Sequence, residues 1–151
     1  MLYLKLLLTL ASLFAVFRVF KFRKESKLIL NLITLAMVIG VFIAISVTDS
    51  IRHIGIYIYL VAVIMAFVYG LLASHLKMTA RVIVCLMSVF ILVYWIWVLN
   101  HFHGNEYILP YLVVMVGIYG FQTKANLKHE IGILVILSAD AIALIVENWI
   151  K

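Results

Sequence analysis

Six long apolar segments, separated by short polar loops, constrain this sequence more than any other feature. A helix of about 20 apolar residues crosses the roughly 30 Å hydrocarbon core of a bilayer, and a single segment in lipid satisfies its backbone only as a helix. We therefore predict an all-α integral membrane protein, a compact bundle of about six transmembrane helices that forms one polytopic domain over residues 1–151. The segments cover residues 2–20, 28–48, 54–74, 82–100, 107–121 and 129–151.

The composition agrees with a lipid bilayer as the solvent. Hydrophobic residues make up 68% of the chain, charged residues only 12%, and the mean hydropathy is +1.25. A soluble domain of this length has too little interior to bury so much apolar surface. The net charge of +6 is spread over short loops rather than one continuous face, so the sequence predicts no nucleic-acid partner.

Basic residues alternate between the loops and indicate the topology. Loops one, three and five hold Lys21, Arg23, Lys24, Lys27, Lys77, Arg81, Lys124 and Lys128. The loops between them hold only Arg52. Because basic loops face the cytoplasm, we predict that both termini are non-cytoplasmic, and we expect the cell inner (plasma) membrane. The first segment lacks the pattern of a cleaved signal, so we expect it to stay as an anchor. Segment 107–121 is short, and the sequence leaves open whether it spans fully or re-enters.

Aromatic side chains group near the predicted non-cytoplasmic boundary, where Tyr and Trp prefer the headgroup level. These residues are Tyr57, Tyr59, Tyr94, Trp95, Trp97, Tyr107, Tyr111 and Trp149. We predict that most of them anchor helices at the interface and that a few line a site.

Small residues indicate where helices approach closely. The apolar segments contain Gly40, Ala44, Gly70, Ala73, Gly117 and Gly120. We predict a small-residue crossing, and Gly117 and Gly120 are the favoured place for it.

Asp140 is the candidate site residue because it lies at the middle of the last segment. At about 1.5 Å per residue it is roughly 15 Å from either polar face, where an ionised carboxylate costs about 2.5–3.5 kcal/mol on insertion scales. We expect it to face protein or water and to be protonated, hydrogen-bonded or cation-bound. No Lys or Arg lies at its depth, so we predict hydroxyl partners, Ser12, Ser88 or Tyr94. Alternatively, Asp140 only fixes helix packing.

Glu147 lies on the same helical stripe as Asp140, two turns towards the non-cytoplasmic face. Lys5 of the first segment lies at a similar depth. We predict a Lys5–Glu147 ion pair, unless either side chain extends to water.

Histidines and acids near the non-cytoplasmic rim are candidate ligands for a divalent transition metal. They are Asp49, His53, His101, His103 and Glu106. The alternatives are ordinary polar turns and a pH sensor on that side.

Histidine pairs near both faces allow a further alternative, a bis-His haem, with His75 and His129 on one side or His53 and His101 on the other. All four lie at segment ends, whereas haem ligands usually lie within helices. The sequence therefore identifies no cofactor.

The run Gly132 to Leu144 reads GILVILSADAIAL and resembles the late helix of the membrane lysoplasmalogenase family, which carries a Gly and then Ser-Asp in a similar apolar setting. The resemblance covers residues 110–144, with Ala139 where that family has Ser. It implies an integral-membrane enzyme that processes lipid.

Three functions follow from these features. The first is a small membrane channel or transporter protomer that handles protons or cations through Asp140. Because six short helices barely enclose a pathway, we expect a homo-oligomer or partner membrane subunits. The second is a lipid-processing membrane enzyme in which Asp140 is an acid, a base or a metal ligand. The third is a scaffold subunit of a membrane complex. The sequence leaves open whether the chain is an enzyme and which ion or substrate it takes.

Overall fold

A computed structural model describes residues 2–22, 27–46, 49–100, 108–123 and 127–150, and all secondary structure in these ranges is helical. The all-α prediction is therefore confirmed for this part of the chain. The helices are α1 Leu2–Lys21, α2 Leu28–Ser46, α3 Asp49–Leu72, α4 Met78–Leu99, α5 Ile108–Gln122 and α6 Ile131–Ile150.

Four helices are long and apolar enough to cross a membrane. The qualifying stretches are Leu28–Ile45, Ile51–Leu72, Met78–Leu99 and Ile131–Trp149. Helix α5 is apolar but has only 15 residues, and α1 carries three cations, Lys5, Arg18 and Lys21, within its 20 residues. The count of six spans and the orientation of the termini stay predictions.

The helices form a closed ring in chain order. Each helix packs against the next, and α6 packs against α1. Helix α6 also contacts α2 and α4, and half of its membrane-length stretch is buried, a larger share than in the other three. Helix α6 is therefore the central helix of the bundle. We refer to the two ends of the bundle as the Arg52 end, where α3 begins, and the Lys27 end, where α2 begins.

Large apolar side chains point away from the bundle on every helix. Phe17, Leu72, Met115 and Phe121 each expose more than half of their surface. Water would make this arrangement costly, at roughly 25 cal/mol for each Å² of apolar surface left exposed. Lipid removes that cost, so the outer surface agrees with a bilayer as the solvent.

Helices α2 and α3 cross at glycines, with backbone against backbone. A methyl group at Gly55 would lie 2.5 Å from the backbone nitrogen of Ala44, and one at Gly40 would lie 2.7 Å from the nitrogen of Tyr59. At Gly117 and Gly120 an added methyl would meet side-chain atoms instead, no nearer than 3.1 Å. The sequence favoured Gly117 and Gly120 for a small-residue crossing, but the contact of backbone with backbone lies at Gly40 and Gly55. The close crossing matters for the site below, because it fixes the position of Tyr59.

We predict that Gly55→Ala lowers the free energy of unfolding by about 1–3 kcal/mol, the usual cost of overpacking. The methyl would overlap backbone atoms of α2 that cannot rotate away, and this outweighs the gain of about 1 kcal/mol in helix propensity. Thermal or denaturant unfolding in detergent measures the change.

Gly117→Ala is the matched control for this prediction. Its methyl would contact the Ser138 hydroxyl oxygen at 3.3 Å and the Met87 terminal methyl at 3.6 Å, and both side chains can adjust. We expect a change within about 0.5 kcal/mol. Equal losses in the two variants would contradict a special role for the α2–α3 crossing.

Candidate functional site

Asp140 lies at the middle of α6, and its carboxylate accepts hydrogen bonds from two aromatic side chains. The Tyr59 hydroxyl of α3 donates to Oδ2 at 2.9 Å, and the Trp95 indole N–H of α4 donates to the same oxygen at 3.2 Å. The residue is only 7% exposed. Three helices therefore converge on one buried carboxylate, which is the environment that such a group requires in an apolar layer.

The packing of α3 and α4 aims these two donors at Asp140. Tyr59 is held against α2 because Gly40 leaves no space between the two backbones. The ring of Trp95 packs edge-on against Tyr94, with the centroids 6.1 Å apart and the planes at 86°. Edge-to-face contacts of this kind restrict the rotation of both rings. The two donors are thus fixed by neighbours outside the site itself.

Asp140, Tyr59 and Trp95 border a cavity of about 260 Å³ that reaches the Arg52 end. Its other polar residues are Lys5, Arg52 and Glu147, and the first two are exposed. The remaining wall is apolar or small, with Gly40, Ala44, Ala143 and Leu144 among its residues. Because a water molecule occupies about 30 Å³, the cavity has room for several. It can therefore connect a buried carboxylate to bulk water.

The charges around the cavity are mixed. Two cationic side chains, Lys5 and Arg52, lie near the mouth, and two carboxylates, Asp140 and Glu147, lie on the wall. The Tyr59 and Trp95 donors stabilise the ionised form of Asp140, and both act on Oδ2. The other oxygen, Oδ1, accepts neither of these bonds. The arrangement can therefore take up a proton or a small cationic group on Asp140.

The hydrogen-bond donors to Asp140 differ from the hydroxyls expected from the sequence. The Ser12 and Ser88 hydroxyl oxygens are buried and have no hydrogen-bond partner among the described residues, so neither bonds to Asp140. Tyr94 is buried next to Trp95 and packs on its ring. Tyr59 and Trp95 belong to the aromatic group near the predicted non-cytoplasmic boundary, of which a few members were expected to line a site, and both contact the carboxylate.

Lys5 and Glu147 line the same cavity, and the ion pair between them stays a prediction. Of the rim residues, His53 is exposed on α3, while the Asp49 side chain, His101, His103 and Glu106 lie outside the described part of the structure. Among the residues that are described, no three His, Cys, Asp or Glu side chains are grouped to hold a metal ion. The metal site stays untested.

The histidines of the haem hypothesis have other contacts at the Lys27 end. The His75 ring lies 3.2 Å from the Lys27 amine and 3.4 Å from the Tyr69 hydroxyl. The His129 ring packs edge-on against Phe22, with centroids 6.0 Å apart. The other proposed pair includes His101, which lies outside the described residues.

A second buried carboxylate, Glu130, was missed from the sequence. It lies just before α6 and is 1% exposed, and Tyr69 of α3 donates a hydrogen bond to its Oε1 at 3.0 Å. A usable signal was present, because Tyr59 and Tyr69 are ten residues apart, as are Glu130 and Asp140. In antiparallel helices this equal spacing aligns both tyrosines with both acids.

We predict that Tyr59→Phe lowers the free energy of unfolding by about 1–3 kcal/mol, since it removes a hydrogen bond to a buried carboxyl group. The loss should be much smaller in an Asp140→Leu background, where the bond no longer exists, and a double-mutant cycle in detergent measures this coupling. Tyr57→Phe is the control, because Tyr57 is 59% exposed two residues away on the same helix. Equal effects of Tyr59→Phe in both backgrounds would contradict the bond.

The comparisons with known proteins add no relative to this picture. No protein-family model matches the chain, and neither a curated protein nor a solved structure shows significant similarity to it. The resemblance to the lysoplasmalogenase family therefore has no family match behind it.

Proposed function

We propose that this chain is a small membrane transport protein, the protomer of a channel or transporter, in which Asp140 binds and releases protons or cations. The position of Asp140 is the observation that supports this proposal most. Asp140 is a buried carboxylate midway along a membrane-length helix, and it borders a cavity that is open at one end. Ionisable groups at such depth are costly and generally mark ion or proton pathways.

The charges near the cavity mouth favour protons over metal cations. Lys5 and Arg52, which both line the cavity, repel an approaching cation. A proton can instead move along hydrogen-bonded water, without a cation passing these side chains. Glu147, on the same wall, is a second acceptor between the mouth and Asp140.

A layer of packed side chains separates Asp140 from the Lys27 end. Ile133 and Leu137 of α6 and Val63 and Ala66 of α3 are fully buried between the two carboxylates. We refer to these four residues as the apolar plug. Because a packed apolar layer conducts no ions, a change of conformation has to accompany transport, which favours a transporter over an open channel.

We further propose six spans, with both termini on the non-cytoplasmic side of the inner (plasma) membrane. Lys5, near the start of α1, and Glu147, near the end of α6, line one cavity together with Arg52, so α1 begins and α6 ends at the same end of the bundle. The positive-inside rule assigns the Lys27 end to the cytoplasm.

We also propose that the chain forms a homo-oligomer or assembles with partner membrane subunits. The mass of the solubilised complex tests this proposal.

We predict proton flux into proteoliposomes that contain the wild-type protein and a loss of this flux to the protein-free level in Asp140→Asn. The amide cannot ionise, but its oxygen can still accept the bonds from Tyr59 and Trp95, so folding should be retained. A pH-sensitive dye inside the liposomes reports the flux. Parallel assays with sodium and potassium test the cation alternative.

Ser138→Ala is the matched control for the flux assay, since Ser138 lies on α6 two residues from Asp140 but borders a different surface groove. Its flux should equal that of the wild type. If neither protein conducts protons or cations although both are folded, the transport proposal is wrong. If Asp140→Asn fails to fold, Asp140→Glu, which keeps an ionisable group, should restore folding and part of the flux.

Labelling of single cysteines in a Cys85→Ala background tests which end of the bundle faces the cytoplasm. Asn100→Cys, at the Arg52 end of α4, should react with a membrane-impermeant maleimide on intact cells. Ser74→Cys, in the turn between α3 and α4 at the Lys27 end, should react only after permeabilisation. Both positions are exposed. The reverse pattern would place the basic loops outside and contradict the proposed topology.

A further inference from the structure

We propose that Glu130 is a second proton-binding site, connected to water at the Lys27 end by a hydrogen-bonded chain through Tyr69, His75 and Lys27. The proposal deepens the transport function proposed above and rests on it for its biological role. The exchange of protons between Glu130 and water along this chain can be measured in a protein that shows no transport.

Glu130 is buried more completely than Asp140, with 1% of its surface exposed. Its Oε1 accepts the Tyr69 hydroxyl at 3.0 Å. Its Oε2 is buried and has no hydrogen-bond partner among the described residues. Oε2 therefore has lone pairs that no donor occupies. A proton can bind there without displacing the bond from Tyr69 to Oε1.

The contacts from Glu130 outwards form one continuous chain. The Tyr69 hydroxyl is 3.4 Å from Nε2 of His75, and Nδ1 of His75 is 3.2 Å from the Lys27 amine. His75 and Lys27 are both exposed. The chain thus connects surface water to a carboxylate that water does not reach directly.

Every bond in this chain can point in the same direction. A lysine ammonium has only donors, so Nδ1 of His75 accepts from Lys27, and the neutral ring then carries its hydrogen on Nε2. That N–H donates to the Tyr69 oxygen, which leaves the Tyr69 O–H to donate to Glu130. Three donors in series, all directed inwards, form the arrangement that proton relay needs.

The proton transfer balances without another reactant. Lys27 gives a proton to Nδ1 of His75, His75 gives its Nε2 proton to the Tyr69 oxygen, and Tyr69 gives its own proton to Glu130. The result is a neutral Lys27 amine and a protonated Glu130. Water returns a proton to Lys27, and the exposed His75 ring loses its Nδ1 proton to water and takes one from water on Nε2, which restores the starting tautomer.

Several other charged side chains that the structure describes at this end have contacts of their own. Arg81 of α4 donates to the backbone carbonyls of Gly70 and Leu71, and Arg18 of α1 donates to the carbonyl of Lys128. His129 packs on Phe22. Lys77 and Lys128 are exposed. Tyr69 is thus the hydroxyl that joins Glu130 to a titratable ring.

Infrared difference spectroscopy in nanodiscs tests the site directly. A step from neutral to acidic pH should produce a carboxylic acid band that Glu130→Gln removes and Asp140→Asn leaves in place. In Tyr69→Phe and in His75→Ala the band should rise more slowly, by about tenfold or more, because each lacks a proton-transferring group. Tyr119→Phe, on the exposed face of α5, should match the wild type.

Rescue with external imidazole separates a relay from a structural role. Imidazole can fill the space left in His75→Ala and should restore the rate there, but it cannot replace the hydroxyl lost in Tyr69→Phe. A band that rises equally fast in all variants, or that never appears in the wild type, would overturn the proposal. So would a slow His75→Ala that imidazole fails to accelerate.

The failure of this inference is distinguishable from failure of the transport function. One outcome is flux that depends on Asp140 together with a Glu130 band whose rate of appearance is unchanged in Tyr69→Phe and His75→Ala. This outcome would retain the transport proposal and reject the relay. A Glu130 band that rises more slowly in Tyr69→Phe and His75→Ala, in a protein without flux, would support the relay and reject the transport proposal.

Discussion

A carboxylate within a membrane-thick apolar layer has to find its hydrogen-bond donors inside the protein, and the arrangement of this bundle follows from that requirement. Asp140 and Glu130 both lie on or next to α6, and each accepts a bond from a tyrosine of α3. Helix α3 neighbours α2 and α4 in the ring, so the long tyrosine side chains cross the interior to reach α6. Burial of the acids is possible because α3 supplies these hydroxyls at the right depth.

The depth of α3 is in turn set by its contact with α2. Gly55 and Gly40 allow the two backbones to touch, and the second contact is directly at Tyr59. Larger residues would separate the helices and move the Tyr59 hydroxyl away from Asp140. A packing feature that looks purely structural therefore determines the geometry of the candidate site.

The sequence was sufficient to predict the helices and the position of Asp140 at the middle of the last one. The hydrogen-bond donors to Asp140 could not be predicted. The predicted third segment, residues 54–74, has its middle near Ile64, more than one helical turn beyond Tyr59. Helix α3 instead begins at Asp49 and ends at Leu72, which moves its middle about one turn towards Tyr59. The apolar run alone gives no sign of this, since the first turn of α3 contains Asp49, Ser50 and Arg52.

Trp95 and Glu130 were missed for different reasons. Trp95 lies one turn from the end of α4, where aromatic residues commonly mark the membrane boundary, and only the packed structure shows that its indole reaches inwards. Glu130 adjoins His129 and Lys128, so in the sequence it resembles part of a polar loop. Its burial depends on Tyr69, which is distant in the chain. Contacts between distant side chains are the part of a helical bundle that local patterns do not encode.

The two tyrosine–carboxylate pairs share a register that links them mechanically. Both tyrosines belong to one helix and both acids to another, and the apolar plug lies between the pairs. Because α3 is a continuous helix, any movement along its axis displaces Tyr59 and Tyr69 together and weakens both bonds at once. The same movement displaces Val63 and Ala66, which belong to the same buried cluster as Ile133 and Leu137, so it also disturbs the plug. In the proposed transport mechanism, proton binding at either acid would therefore be coupled, through one continuous helix, to the packing of the plug.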